Sequence, residues 1–270
     1  MPKFDANLTM LFSEVDFLDR FAAAAKAGFT GVEYLSPYAH PAAEVAGALR
    51  AAGLEQVLFN LPSGDWAAGE RGIACLPDRV NDFREGVGKA LEYAAALGCT
   101  RLNCLAGKMP AHMEPARARQ TLVENLRFAA TELSTAGITL VVEPVNTYDI
   151  PGFFLSGSRQ ALEIMDDAGA DNLKLQYDIY HMQRMEGELA ATMQKHLARI
   201  GHVQLADNPG RHEPGTGEIN YPFLFDFLDR VGYAGWIGCE YIPAGATAEG
   251  LAWATSYLRP ARTGALEHTA

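Results

Sequence analysis

The chain has 270 residues, a formal net charge of −11 and 49% apolar residues, enough for a sizeable core in one large domain or two small ones. The acidic balance, with no run of Lys or Arg, excludes a phosphate backbone or an anionic membrane surface as partner. Cys75, Cys99, Cys104 and Cys239 lack CxxC spacing, so neither a disulfide framework nor a zinc knuckle is expected, and reduced thiols suit a cytoplasmic protein. The start, Met1-Pro2-Lys3-Phe4-Asp5, has no apolar signal core, and no stretch of about 18 apolar residues is present to span a membrane.

Strand-like and helix-like segments alternate along the chain. Strand one is predicted near Phe4–Leu8, with a helix over Asp16–Ala27 that stops before Gly28. Strand two is Gly31–Tyr34, followed by a helix over Ala42–Ala52 ending at Gly53. Strand three, Gln56–Asn60, leads into a polar, glycine-containing loop, Leu61–Arg71, and then a helix over Asp78–Leu97 stopped by Gly98. Strand four, Arg101–Leu105, precedes a helix over Pro115–Thr135 with proline in its first turn.

Strand five is Thr139-Leu140-Val141-Val142, running straight into Glu143-Pro144. Such a short apolar run reads as a strand buried on both faces, and the proline, lacking an N–H, ends it. Helices over Ser158–Ala168, Gly187–Ala198, Pro222–Val231 and Ala248–Leu258 then alternate with strands at Leu173–Tyr177, Gly201–Leu205 and Trp236–Glu240. Eight βα units without a linker predict a single-domain (β/α)₈ barrel over residues 1–258. Residues 259–270 read as a flexible tail.

Barrel chemistry sits at the C-terminal ends of the strands. Glu143 ends strand five, Asp178 strand six, Gln204 lies at the end of strand seven, and Glu240 ends strand eight. Their spacings of 35, 26 and 36 residues are each near one βα unit of roughly 31 residues. A lone acidic residue at a strand end is as readily a helix cap or a surface charge. Four oxygen-bearing side chains on consecutive strands are better read as a site. Three carboxylates and an amide in one mouth need a positive partner, and a donor set of oxygens alone favours Mg²⁺ or Mn²⁺. Two glutamates beside a cation suit proton transfer next to a carbonyl, with no organic cofactor. His181 is a candidate for holding a substrate oxygen, and Arg71, Lys108 and Arg211, in loops after strands three, four and seven, are candidates for an anionic substrate. The loop His212–Glu218 reads equally as a lid or as a well-hydrogen-bonded connection, and Trp66 as a cap on the pocket or an anchor of its own loop.

Several runs carry a family resemblance: Phe59–Ala74 (FNLPSGDWAAGERGIA), Leu140–Asn146, Gln176–Leu189 (QYDIYHMQRMEGEL), Val203–Tyr221 (VQLADNPGRHEPGTGEINY) and Gly238-Cys239-Glu240-Tyr241. With them the chain resembles the hydroxypyruvate isomerase family, among the xylose-isomerase-like barrels, over nearly its whole length. The resemblance implies interconversion of hydroxypyruvate and tartronate semialdehyde (2-hydroxy-3-oxopropanoate) through an enediol, within glyoxylate and hydroxypyruvate metabolism. It implies Glu143 and Glu240 as catalytic residues, Glu143, Asp178, Gln204 and Glu240 as ligands of a divalent metal, and a homo-oligomer, dimer or tetramer. The substrate it implies is a small anionic hydroxy-keto acid.

Two departures stand out. Related ketose 3-epimerases carry histidine where this chain has Gln204, and Ile242 stands where the family leads one to expect a basic residue. Close relatives isomerise a four-carbon 2-oxo-tetronate on the same constellation, which is the nearest alternative; a ketose 3-epimerase is disfavoured by Gln204. A phosphodiester-cleaving DNA-repair enzyme calls for several histidine ligands and a basic face, both missing here. A non-catalytic sugar-binding module predicts that Glu143→Gln keeps ligand affinity with no activity to lose.

Overall fold

The computed structural model describes residues 1–258. Eight parallel strands pair in sequence order: β1 (Lys3–Asn7), β2 (Gly31–Tyr34), β3 (Glu55–Asn60), β4 (Arg101–Cys104), β5 (Thr139–Val142), β6 (Leu173–Asp178), β7 (Ile200–Leu205) and β8 (Trp236–Cys239). β8 closes on β1, as a (β/α)₈ barrel requires. Helices α1 (Arg20–Lys26), α2 (Ala42–Ala52), α3 (Val80–Leu97), α4 (Pro115–Ser134) and α5 (Ser158–Ala168) follow the first, second, third, fourth and fifth strands. α6 (Ile179–Met185) and α7 (Leu189–His196) both follow β6, and α8 (Tyr221–Arg230) follows β7. No helix among the described residues is long and apolar enough to cross a membrane.

The strands alternate in a way that sets up the site. Phe4 of β1 packs on Phe225 of α8 and on Trp253 and Tyr257, so it faces the helices. Its neighbours Asp5 and Asn7 therefore face the barrel interior, since side chains alternate along a strand. The same alternation puts Glu33, Asn103, Gln176, Asp178, His202 and Gln204 inside, all buried. Register keeps them in layers: Asn7 lies opposite Glu33, Asn60 opposite Asn103, and Asp178, Gln204 and Gly238 lie side by side. Polar side chains thus line much of the barrel interior, and the main apolar core lies between the strands and the helices. Gly238 leaves room for those polar side chains, because a Cβ there would stand 2.5 Å from the Glu33 carboxylate.

The structure departs from the expected elements in two places. Between β6 and α7 lies a two-turn helix, α6, where the sequence predicted no element. Asp178 nucleates it, its Oδ1 accepting the backbone N–H groups of Tyr180 at 2.7 Å and His181 at 3.2 Å. The expected closing helix over Ala248–Leu258 is instead a short 3₁₀ segment, Glu249–Ala254, with Leu251 and Ala254 buried. Ala246 supplies the carbonyl for both Glu249 and Gly250, and the tighter winding turns that small buried stripe onto the barrel. The expected tail, 259–270, lies outside the described residues.

Candidate active site

Glu143 and Glu240 sit one residue past β5 and β8, and Asp178 is the last residue of β6. All three are buried. Asn103 of β4 donates its amide to Glu143 Oε2 at 3.0 Å and to Asn60 Oδ1 at 3.2 Å, which fixes the rotation of the Glu143 carboxylate. Glu143 Oε1 lies 3.8 Å from His181 Nε2, and Asp178 Oδ2 lies 3.8 Å from the same nitrogen. Across the mouth, Arg211 donates to Glu240 Oε1 at 3.2 Å.

Burial, then Glu240, then Asp178 push the Glu143 carboxyl well above the ordinary carboxylate range, against the pull of Arg211 and Asn103. Burial raises Glu240 to about 8, with Asp178 and Glu33 adding to the push and Arg211 opposing it. Burial likewise raises Asp178 to about 6, against Arg211 and its two backbone hydrogen bonds. His181 is driven well below its ordinary value by burial, Arg211 and Arg184, so it is neutral. Three crowded carboxylates with too little positive charge are the electrostatic signature of a cation site or of shared protons.

The donor set fits a cation. Glu143, Asp178 and His181 each bring one ligand-type atom within 4.8 Å of the others, and Asp178 Oδ2 is buried with no hydrogen-bond partner among the described residues. Gln204 is engaged lower in the barrel. Its Oε1 accepts from Gln176 at 2.6 Å and its Nε2 donates to Glu33 Oε1 at 2.7 Å, so its carbonyl is already occupied. Glu33 is the hub of that layer, also accepting from Asn7 at 2.9 Å and hydrogen-bonded to His202 Nε2 at 2.7 Å. Asp5, Glu33 and His202 form a second triad of ligand-type atoms, completely buried.

Of the three loop cations, Arg211 alone is brought against the carboxylates. It adopts a left-handed backbone conformation (φ 56°) and its guanidinium carbon lies 5.2 Å from the centre of the Tyr180 ring. The loop that carries it is wound around the buried Asp207 carboxylate, which accepts the backbone N–H groups of Asn208, Gly215, Gly217 and Ile219 at 2.8–3.1 Å. The stretch His212–Glu218 is therefore a tightly hydrogen-bonded connection. Arg71 instead donates to the carbonyls of Trp66 and Glu70 and stacks on Trp66 at 4.2 Å. Trp66, 41% exposed, lines a cavity of about 510 Å³ together with Phe17, Tyr38, His40 and Lys89, on the β1–β3 side of the mouth. Lys108 is exposed, and its backbone forms an isolated bridge with Phe153.

Sequence reasoning missed Asn103, Asn146 and Asp149. The Asp149 carboxylate receives the Tyr180 hydroxyl at 2.9 Å, Arg184 at 2.7 Å and the Asn146 amide at 3.0 Å, tying the loop after β5 to α6. Asn103 was legible as the polar residue between apolar Leu102 and Cys104 at a strand end. Asn146 and Asp149 sit in a loop, where spacing says nothing about direction.

The family described as xylose isomerase-like TIM barrel matches residues 21–257. The closed eight-stranded parallel barrel is the fold of that class. The hydroxypyruvate isomerase of Escherichia coli (strain K12) is 56% identical over 95% of this chain and 100% of its own. The 2-oxo-tetronate isomerase of Cupriavidus necator is 52% identical over 96% of this chain and 99% of its own. A crystal structure from Brucella melitensis, described as an AP endonuclease of family 2, superposes with a TM-score of 0.94 at 46% identity, covering 96% of this chain and 100% of that one. The chain belongs to the hydroxypyruvate isomerase family of the xylose isomerase-like barrels, and it is an isomerase.

Proposed function

We propose that this isomerase interconverts hydroxypyruvate and tartronate semialdehyde. The observation that carries the reading is the pair Glu143 and Glu240, buried just past the ends of β5 and β8, with Glu240 raising the proton affinity of Glu143 and Arg211 hydrogen-bonded to Glu240. Identity of 56% to a hydroxypyruvate isomerase over the full length of that protein supports the substrate assignment.

Arg211 is placed to hold the carboxylate of the substrate, since a guanidinium pairs with a carboxylate in a planar, two-point fashion. Glu143, oriented by Asn103, removes a proton from C3, and the electron pair moves through the C3–C2 bond onto the C2 oxygen to give the enediolate. Glu240, on the opposite side of the mouth, delivers a proton to C2. Transfer of the C3 hydroxyl proton to the C2 oxygen leaves an aldehyde at C3 and a hydroxyl at C2. The reverse direction exchanges the two glutamates' roles. Glu143, Asp178 and Glu240 would hold a divalent cation, Mg²⁺ or Mn²⁺, with Gln204 joining only if it left Gln176. A bound cation supplies polarisation of the carbonyl and the adjacent hydroxyl, and it lowers the proton affinity of the surrounding carboxylates.

A second reading, isomerisation of a four-carbon 2-oxo-tetronate, is favoured by the 52% identity to the Cupriavidus necator enzyme. Steady-state rates on both acids separate the two. A higher kcat/KM is expected for hydroxypyruvate, and a clear preference for the four-carbon acid would favour the second reading instead.

A further inference from the structure

The direction of every hydrogen bond around Asn146 is fixed by its surroundings. Its Oδ1 accepts two backbone N–H groups, from Tyr148 at 3.1 Å and Asp149 at 2.8 Å, and backbone N–H groups can only donate. The other end of the side chain is therefore the NH₂ group, which has two hydrogens to place. One goes to Asp149 Oδ2 at 3.0 Å, itself a carboxylate and so an acceptor. The other points at His181 Nδ1, at 2.7 Å. That nitrogen must then be the acceptor, and the single proton of the neutral imidazole sits on Nε2. His181 Nε2 faces Glu143 Oε1 and Asp178 Oδ2, both 3.8 Å away, in the space the reacting carbons are to occupy.

We propose that Asn146 is a positioning residue that locks His181 in its Nε2–H form. Nε2 is thereby a permanent hydrogen-bond donor to a substrate oxygen and is withdrawn from the ligands of any cation at Glu143 and Asp178. This deepens, and rests on, the isomerase reading of the same site. Enolisation puts negative charge on the former carbonyl oxygen, and a neutral N–H aimed at it stabilises that charge without carrying a proton that could be lost. A nitrogen that bears a hydrogen has no lone pair for a cation, so the ligand-type cluster of Glu143, Asp178 and His181 contributes its two carboxylates only. The lock is itself braced: Asp149, which takes the second amide hydrogen, is held by Tyr180 and Arg184. Both partners of Asn146 are thus fixed to α6, the helix that carries His181.

The test is a long-range ¹H–¹⁵N correlation spectrum of the full-length protein labelled at histidine nitrogens, with His181 assigned by the signals that vanish in His181→Gln. Expected in the wild type is a protonated Nε2 and an unprotonated Nδ1. In Asn146→Asp the new carboxylate still accepts the two backbone N–H groups but can only accept from the ring, so the proton moves to Nδ1. With that inversion, kcat on hydroxypyruvate falls about a hundredfold while KM changes by less than about threefold. Asn146→Ala, which offers the ring neither a donor nor an acceptor, gives a mixture of the two forms and a smaller loss of kcat. A wild-type spectrum with the proton on Nδ1 overturns the proposal, as does an Asn146→Asp protein that keeps its proton on Nε2. So does an inverted ring with undiminished kcat. If Asn146→Asp does not fold, the wild-type and Asn146→Ala spectra decide. A protein that turns over neither acid refutes the isomerase reading instead, and the wild-type spectrum still reads the lock on its own.

Discussion

Truncating Asp207 to alanine removes a carboxylate that holds four backbone N–H groups of the loop after β7, two on each oxygen. Hydrogen bonds to a charged group contribute roughly 1.5–3 kcal/mol each when buried. Only the bond from Ile219 is fully buried; the N–H groups of Asn208, Gly215 and Gly217 are partly buried and recover water once the carboxylate is gone. The net loss is therefore set at about 3–4 kcal/mol instead of the full sum. For a chain of this size that lowers the melting temperature by about 5–7 °C. The functional effect follows from geometry, because the Arg211 N–H is bonded to the Asp207 carbonyl at 2.8 Å and the loop presents Arg211 to Glu240. Once the loop loosens, Arg211 no longer meets the substrate carboxylate, and KM for hydroxypyruvate rises by about tenfold or more, one factor of ten for each 1.4 kcal/mol of lost contact. Thermal melting followed by steady-state kinetics on the same preparation checks both numbers. A melting temperature within about 2 °C of wild type, together with an unchanged KM, would refute the claim that Asp207 builds the platform for Arg211.

Glu143→Gln and Glu240→Gln each lower turnover by about two to four orders of magnitude while leaving the fold intact, as judged by circular dichroism and kcat. Extended chelation followed by gel filtration is expected to lower activity, with recovery on adding Mg²⁺ or Mn²⁺; full activity with no metal detected by elemental analysis would count against cation assistance. The chelated protein should also show a pH signature. Glu240 and Asp178 have folded values raised to about 8 and about 6, so the folded state binds more protons than the unfolded chain. Their stabilising contribution is present below the unfolded values and is lost as pH rises through the folded ones, so the melting temperature should fall between about pH 5 and pH 8. Glu240→Gln should flatten that slope, and an equal slope in the variant would contradict the assignment to Glu240.

The barrel itself was legible because glycine stops and apolar strand runs are local signals. α2, α3 and α5 end at Gly53, Gly98 and Gly169, each in the left-handed conformation that ends a helix at low cost. The strand-end residues Glu143, Asp178 and Glu240 were legible for the same reason, since one βα unit has a near-constant length. Directions were less legible. Gln204 lies at the level of Asp178 and Gly238, yet its amide is drawn down to Glu33, a partner 171 residues away. No spacing rule reports a hydrogen bond across the barrel. Arg71, Lys108 and Arg211 looked alike as loop cations, and only the Asp207 framework sets Arg211 apart. α6 is too short to show a helical period, although Asp178 followed by Ile179 and Met182 has the form of a cap before a helical face; Asp178 turns one oxygen to the cap and the other to the site.

Proton transfer between Glu143 and Glu240 on a short hydroxy-keto acid is tested most directly by proton NMR of the purified protein with hydroxypyruvate in D₂O. Two separate glutamates require that the proton delivered to C2 come from a group that has equilibrated with solvent, so tartronate semialdehyde should form with deuterium at C2. Failure to convert hydroxypyruvate, or a product whose C2 carries only the original substrate proton, would contradict it.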